Sequence, residues 1–246
     1  GEWNALGGGL NGMVDVLAVD MNGNVYAGGN FYLAGSKLVN NIAKWNGTNW
    51  SSLGSGMSGD SDISLEVLAL VFDKKGDLYA GGNFTNAGGV TVNYIAKWDG
   101  SKWSSLGKGL DGFVKALAVD ESGNIYAGGC FKKAGDITVN GLAKWDGNKW
   151  SSIGDGVDAC VLSIRFDNEH TLYVSGSFET AGGVTVNSIA KWSGTEWSEI
   201  GGGMKTYDFP ESVYVIEFDS ENNLYAGGYF KSAGGIKANN IAKWDG

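Results

Sequence analysis

Short apolar stretches alternate with glycine- and asparagine-rich punctuation along the whole chain, and their order recurs. In the second copy the stretches are Val67–Asp73, Leu78–Phe84, Tyr94–Asp99 and Lys102–Gly107. They are named strands A to D. Residues 73–77, 85–93 and 99–101, rich in Asp, Asn and Gly, separate them as turns. Strand A alternates in every copy. Leu17, Leu70, Leu117, Ile164 and Ile216 fall in one slot, followed two residues later by Val19, Phe72, Val119, Phe166 and Phe218. An apolar position at every second residue marks a strand with one buried face, so each copy is expected to pack a sheet on its neighbour.

The period follows from the second tryptophan of each copy. Trp3, Trp50, Trp103, Trp150 and Trp197 are separated by 47, 53, 47 and 47 residues. Five repeats then account for all 246 residues. Each internal copy joins strands C and D by a turn between two tryptophans, and Lys243–Gly246 followed by Gly1–Trp3 would make a fifth such hairpin. A linear solenoid would need polar capping repeats, whereas a ring uses this split directly. The expected fold is all-β: a five-bladed β-propeller of four-stranded antiparallel blades, closed by the N-terminal strand completing the C-terminal blade. The expected organisation is a single domain, 1–246. Residues 1–7 form its closing strand, and the blades span 8–54, 55–107, 108–154, 155–201 and 202–246.

Composition agrees. The chain has 42 glycines, one proline and ten each of Trp, Tyr and Phe. Glycine in a helix interior costs about 1 kcal/mol relative to alanine, so a helical protein could not carry this many. The longest strongly apolar run, Val67–Phe72, is far shorter than the roughly 20 residues of a membrane-spanning helix. A net charge of −9 without like-charge blocks weighs against nucleic acid and against membrane insertion. Residues 1–9 have neither the basic nor the apolar region of a signal peptide, so a signal was either removed or never present.

The order of an apolar strand, Tyr with a double glycine (Tyr26, Tyr79, Tyr126 and Tyr225; Tyr173 with a Val-Ser-Gly variant), an aromatic on strand C and Trp opening strand D resembles the kelch-type propeller repeat. It departs from that pattern in having Trp on strand C and a spacing of five between the two tryptophans. The fuller phrase, running from Asn-x-Ile-Ala-Lys-Trp to the Phe-x-x-Ala-Gly-Gly loop, is similar to repeats of bacterial secreted or surface proteins and of fungal cortical polarity markers. The resemblance spans the chain and implies the fold; propellers host unrelated activities, so it implies little about function.

Most repeated chemistry has a structural reading. The double glycines precede no helix and cannot cradle a phosphate; they are expected where strands approach closely. The A–B turns lack the ligand set of a calcium loop, and neither a metal nor another cofactor is expected. Lys44, Lys97, Lys144, Lys191 and Lys243 could make an anion-binding ring, but each can lie over its blade and pair with the Asp that ends strand A (Asp20, Asp73, Asp120, Asp167, Asp219). The tryptophan pairs could stack sugars, but they suit cross-strand packing better. No catalytic residue emerges. His170 is the only histidine and sits in an A–B turn, and the slot of Asp15, Leu68, Lys115, Leu162 and Tyr214 holds no carboxylate set for a glycosidase. The chain is expected not to be an enzyme.

Two departures from the repeat stand out. Arg165 and Glu217 replace Ala18, Val71 and Ala118, which predicts an ion pair between blades four and five. Cys130 and Cys160 could be bonded if close, with two free thiols the favoured expectation.

The D–A and B–C loops share one face. Both insertions are D–A loops, residues 58–66 and 205–212, and the second carries the only proline. Loops on a rigid scaffold are where binding resides. The expected function is a non-catalytic extracellular or cell-surface recognition module, monomeric as an isolated domain, that binds a glycan or a protein through this face. A glycan would use five equivalent pockets made by Asn40, Asn93, Asn140, Asn187 and Asn239 with the neighbouring Phe-x-x-Ala-Gly loops, unless each Asn simply caps its own loop; the repeats resemble those of tachylectin-type lectin propellers in length. The alternative is a structural or protein-interaction propeller of a larger surface protein, with Asp60, Asp62, Tyr207, Asp208 and Phe209 forming one asymmetric site.

Overall fold

A computed structural model describes residues 1–59, 64–206 and 211–246. All regular elements among them are strands. The chain divides into two compact units, Gly1–Val119 and Asp120–Gly246.

In the first unit, repeat one folds as strands A to D at Met13–Val19, Val25–Asn30, Ile42–Trp45 and Trp50–Ser52, antiparallel and in sequence order. Repeat two does the same with Glu66–Phe72, Leu78–Asn83, Ile95–Trp98 and Trp103–Ser105. Phe113–Val119, strand A of repeat three, packs on strands A and B of repeat two. The second unit holds Ile125–Cys130, Leu142–Trp145 and Trp150–Ser152 of repeat three. Repeat four is complete, with Val161–Phe166, Leu172–Gly176, Ile189–Trp192 and Trp197–Glu199. Repeat five has three paired strands, Ser212–Phe218, Leu224–Tyr229 and Ile241–Trp244. The strand bounds expected for repeat two hold to within two residues.

Strand A breaks its own period. Its pairing with strand B slips between Val14 and Val16, Val67 and Ala69, Val161 and Ser163, and Val213 and Val215. The residues between, Asp15, Leu68, Leu162 and Tyr214, are β-bulges, which turn one side chain out of the alternation. The double glycine answers this region from strand B. A Cβ on Gly28 would run into Val67 of the next repeat, and one on Gly29 into the carbonyl of Met13. Only a bare backbone lets the sheets come this close.

The neighbouring sheets interlock through aromatic rings. Phe72 of repeat two meets Tyr26 of repeat one edge-on at 5.0 Å, as Phe166 meets Tyr126 at 5.1 Å and Phe218 meets Tyr173 at 5.0 Å. Such pairs add about 0.5–1.5 kcal/mol each beyond the area they bury. Each C–D hairpin is held by a tilted tryptophan pair, Trp45 with Trp50 at 5.3 Å and Trp98 with Trp103 at 5.2 Å. The D-strand indole also reaches into the preceding repeat, where Trp103 Nε1 donates to the Leu53 carbonyl at 2.8 Å.

Residues 1–7 carry no strand, and Trp3 is fully exposed. One expectation changes. Cys130 and Cys160 are bonded, with Cα atoms 4.6 Å apart. The favoured pair of free thiols is therefore overturned: the end of strand B in repeat three abuts the start of strand A in repeat four, which brings two residues 30 apart in sequence within bonding range.

Candidate functional site

The loop face is tied together by backbone pairing between the D–A segment that opens a repeat and the B–C hairpin of the same repeat. Met57–Ser58, from the D–A segment leading into repeat two, pairs with Asn86–Ala87 of its B–C hairpin. Met204–Lys205 pairs likewise with Ser232–Ala233. Isolated bridges join Leu10 to Ala34 and Val157 to Ala181. Side chains reinforce the seam. Asn11 Oδ1 accepts the amides of Tyr32 and Leu33, and the Asp158 carboxylate accepts the amide of Glu179 and the amide and hydroxyl of Thr180. The loops are therefore fastened at their bases, and the hairpin tips project with Val90, Ile137 and Val184 about two-fifths exposed.

The asparagines lie at the roots of these hairpins. Asn40, Asn93, Asn140 and Asn187 all adopt left-handed backbone, φ near +50°, which Asn tolerates better than other side chains. Each spends its amide nitrogen on the carbonyl fifteen residues on: Asn40 on Ser55 at 2.8 Å, Asn93 on Lys108 at 2.9 Å, Asn140 on Asp155 at 3.0 Å and Asn187 on Gly202 at 3.1 Å. Asn239 is exposed on the corresponding hairpin. The structure thus gives four of these residues a loop-capping bond and leaves the side-chain oxygen for other partners. Asp60, Asp62, Tyr207, Asp208 and Phe209 lie outside the described residues.

The opposite face, made of A–B and C–D turns, is less uniform than the sequence suggests. In the second unit a crevice of about 380 Å³ opens between repeats three and four. Phe166, Tyr126 and Trp192 form its apolar walls, with Ser152, Glu169 and His170 among its polar lining. His170 has φ +64° where repeats one to three place glycine, and its Nε2 lies 3.3 Å from Glu121 Oε2. Lys144 lies 5.2 Å over the Tyr126 ring and 3.4 Å from Asp120 Oδ2. Burial alone would lower the Lys144 pKa, but Tyr126 and Asp120 outweigh it and hold it above the ordinary lysine value. Burial pushes the Tyr126 phenol up as well.

The lysine ring resolves as sequence reasoning favoured in two repeats, where Lys44 and Lys144 pair with Asp20 and Asp120. In repeat two, Lys97 instead bonds Asp77 Oδ2 at 2.6 Å, four residues along the A–B turn from the expected Asp73. The predicted pair between blades four and five is present, Arg165 Nε to Glu217 Oε2 at 2.9 Å. Among the described residues no group of three or more His, Cys, Asp or Glu side chains is placed to hold a metal.

No family profile matches the chain, and no curated protein matches its sequence. Solved structures do resemble it. One is the extracellular domain of a protein described as a one-component system of B. thetaiotaomicron (TM-score 0.56, 12% identity, 92% of this chain and 26% of that one). Another is a GH74 xyloglucanase from Xanthomonas campestris (TM-score 0.56, 18% identity, 98% and 36%). A third is virginiamycin B lyase from Staphylococcus aureus (TM-score 0.53, 12% identity, 93% and 68%). The fold is of β-propeller type. At such identities the likeness carries the fold alone, and the chain spans only about a quarter to a third of the first two proteins. The kelch resemblance stays with the repeat motif.

Proposed function

We propose that the chain is a non-catalytic extracellular recognition module that binds a glycan or a protein through the face carrying the D–A and B–C loops. The observation that carries this reading is the set of backbone pairs between four D–A segments and the B–C hairpins that follow them, which fixes the bases of long loops whose tips stay exposed. Rigid presentation lowers the ordering cost of binding. A disulfide between two repeats fits an oxidising, extracellular setting, as do neighbours that are themselves extracellular domains.

The scaffold we propose is the five-bladed ring closed by residues 1–7. Repeat five supports it. Ile241 is 68% exposed where Ile42, Ile95, Leu142 and Ile189 are buried, and a cavity of about 150 Å³ lined by Ile200, Gly201, Gly234 and Trp244 lies where earlier repeats seat a D-strand indole. Trp3, with Leu6 and Gly7 at the repeat spacing, would supply the matching strand on closure.

A glycan array with mannose, GlcNAc and galactose panels, run on the intact protein and on a variant with Ala at the five asparagines, tests the ligand class. Binding lost in the variant while it remains folded at the assay temperature supports the glycan reading. Silence on the array, with binding to a protein partner lost when residues 58–66 or 205–212 are shortened, favours the single asymmetric site; silence in both removes the loop face as the binding surface.

A further inference from the structure

The repeats act as controls on one another, and repeat four lacks a charge pattern that repeats one and three share. In repeats one and three a lysine from strand C covers the strand-B tyrosine and reaches the aspartate that ends strand A. Lys44 lies 5.2 Å over Tyr26 and 3.7 Å from Asp20 Oδ2; Lys144 stands almost identically to Tyr126 and Asp120. The same carboxylate oxygen takes a side-chain amide, from Asn24 or Asn124, at 2.7 Å. Lys97 and Lys243 also cover their rings, Tyr79 and Tyr225, at 5.6 and 5.7 Å.

In repeat four the aspartate and the tyrosine remain but both donors are gone. Asp167 is 8% exposed, and its Oδ1 accepts the amides of Glu169 at 2.9 Å and Thr171 at 2.8 Å, the same turn staple as elsewhere. Thr171 stands in the asparagine slot, too short to bond Oδ2. Lys191 is exposed and, among the described residues, makes neither the ion pair nor the ring contact. A cavity of about 260 Å³ opens instead, lined by Asp167, Glu169, Thr171, Tyr173, Lys191 and Ser193. Burial, then Asp167, push the Tyr173 phenol up to about 12, so its hydroxyl stays protonated beside the carboxylate.

We infer that this cavity binds a primary alkylammonium group of lysine side-chain size, seated on Tyr173 and paired with Asp167. A cation over an aromatic face is attracted by the negative face of the ring, and here the buried Asp167 carboxylate lies beside the phenol hydroxyl. Glu169 adds a second negative charge against the single positive charge of Lys191, so the cavity keeps a net attraction for a cation. The apolar stem of the ligand lies along Tyr173 while Ser193 and Thr171 offer hydroxyls to the ammonium. The site sits on the turn face and is independent of the loop-face reading.

The test is a ¹⁵N-resolved titration of the intact protein with n-butylammonium chloride, with n-butanol as the neutral control. The expected result is saturable shifts at Glu169, Thr171 and Ser193 with the amine and none with the alcohol. Thr171→Asn, which restores the amide donor of the other repeats, should weaken binding at least tenfold without unfolding the protein. No saturable shift, an equal response to n-butanol, or unchanged binding in Thr171→Asn overturns the proposal. So does binding that appears only in Lys191→Ala, because the chain's own lysine would then fill the site.

Discussion

Replacing both cysteines, Cys130→Ala with Cys160→Ala, isolates what the cross-link contributes. The bond spans 30 residues and ties the end of strand B in repeat three to the start of strand A in repeat four. Closing a loop of that length removes roughly 12 cal/mol/K from the unfolded chain, about 3.6 kcal/mol at 25 °C. The native side should add little. The sulfurs border an open surface recess lined by Phe131, Val157 and Ala159, so alanine leaves no sealed void. For a chain of this size unfolding in one step, the loss corresponds to roughly 7 °C in Tm. Urea unfolding of the oxidised protein, the reduced protein and the double variant measures it. The last two should agree within about 0.5 kcal/mol, since both lack only the cross-link. A loss below about 1 kcal/mol in both would refute the reasoning, because the unfolded state would then already be constrained or the bond strained in the fold.

Asn93→Ala should cost about 1–2 kcal/mol in chemical unfolding, because it removes the bond to Lys108 and places a less tolerant residue at φ +50°; a neutral result would free this asparagine for ligand alone. Gly81→Ala puts a Cβ against Val114 of the next strand A and should lower stability by about 1–3 kcal/mol, read as a drop in Tm, whereas Gly89→Ala meets no atoms and is limited to its backbone cost at φ +84°. A double-mutant cycle on Arg165 and Glu217 should return no more than about 1 kcal/mol of coupling, since the side chains are 38% and 63% exposed; a value near 3 kcal/mol would mean the pair is shielded from solvent.

The strands, their order and their repeat were legible because a two-residue apolar period and fixed glycine slots leave few folds open. Three features were not. The bulge in strand A replaces one step of alternation without changing the residue types around it, so Leu68 and Leu162 read as ordinary strand positions. The disulfide depends on the distance between two consecutive repeats, which no spacing within a repeat encodes. The asparagine caps depend on left-handed backbone at Asn40, Asn93, Asn140 and Asn187, paired with a carbonyl fifteen residues away in the next turn. The altered turn of repeat four was visible in the sequence as Thr171 in an Asn or Asp slot, but it meant little until the lysine geometry of the other repeats was known.

Equivalent repeats can build equivalent pockets, but a single site needs repeats that differ, and the differences in the second unit are not scattered over solvent-facing tips. His170 takes a left-handed position held by glycine in three repeats and reaches Glu121, while Asn222, at the same position in repeat five, accepts the Asn168 amide at 3.0 Å. Arg165 and Glu217 join strands A of repeats four and five, and Cys160 fastens repeat four to repeat three. Repeat four is therefore held from both sides by side chains that the regular pattern lacks, and in it the strand-C lysine makes no ion pair with Asp167 among the described residues. A carboxylate buried without its usual cation is destabilising for the repeat that contains it. Ties to both neighbours restrict the motion of repeat four, and restricted motion lowers the ordering cost of any site that the repeat presents.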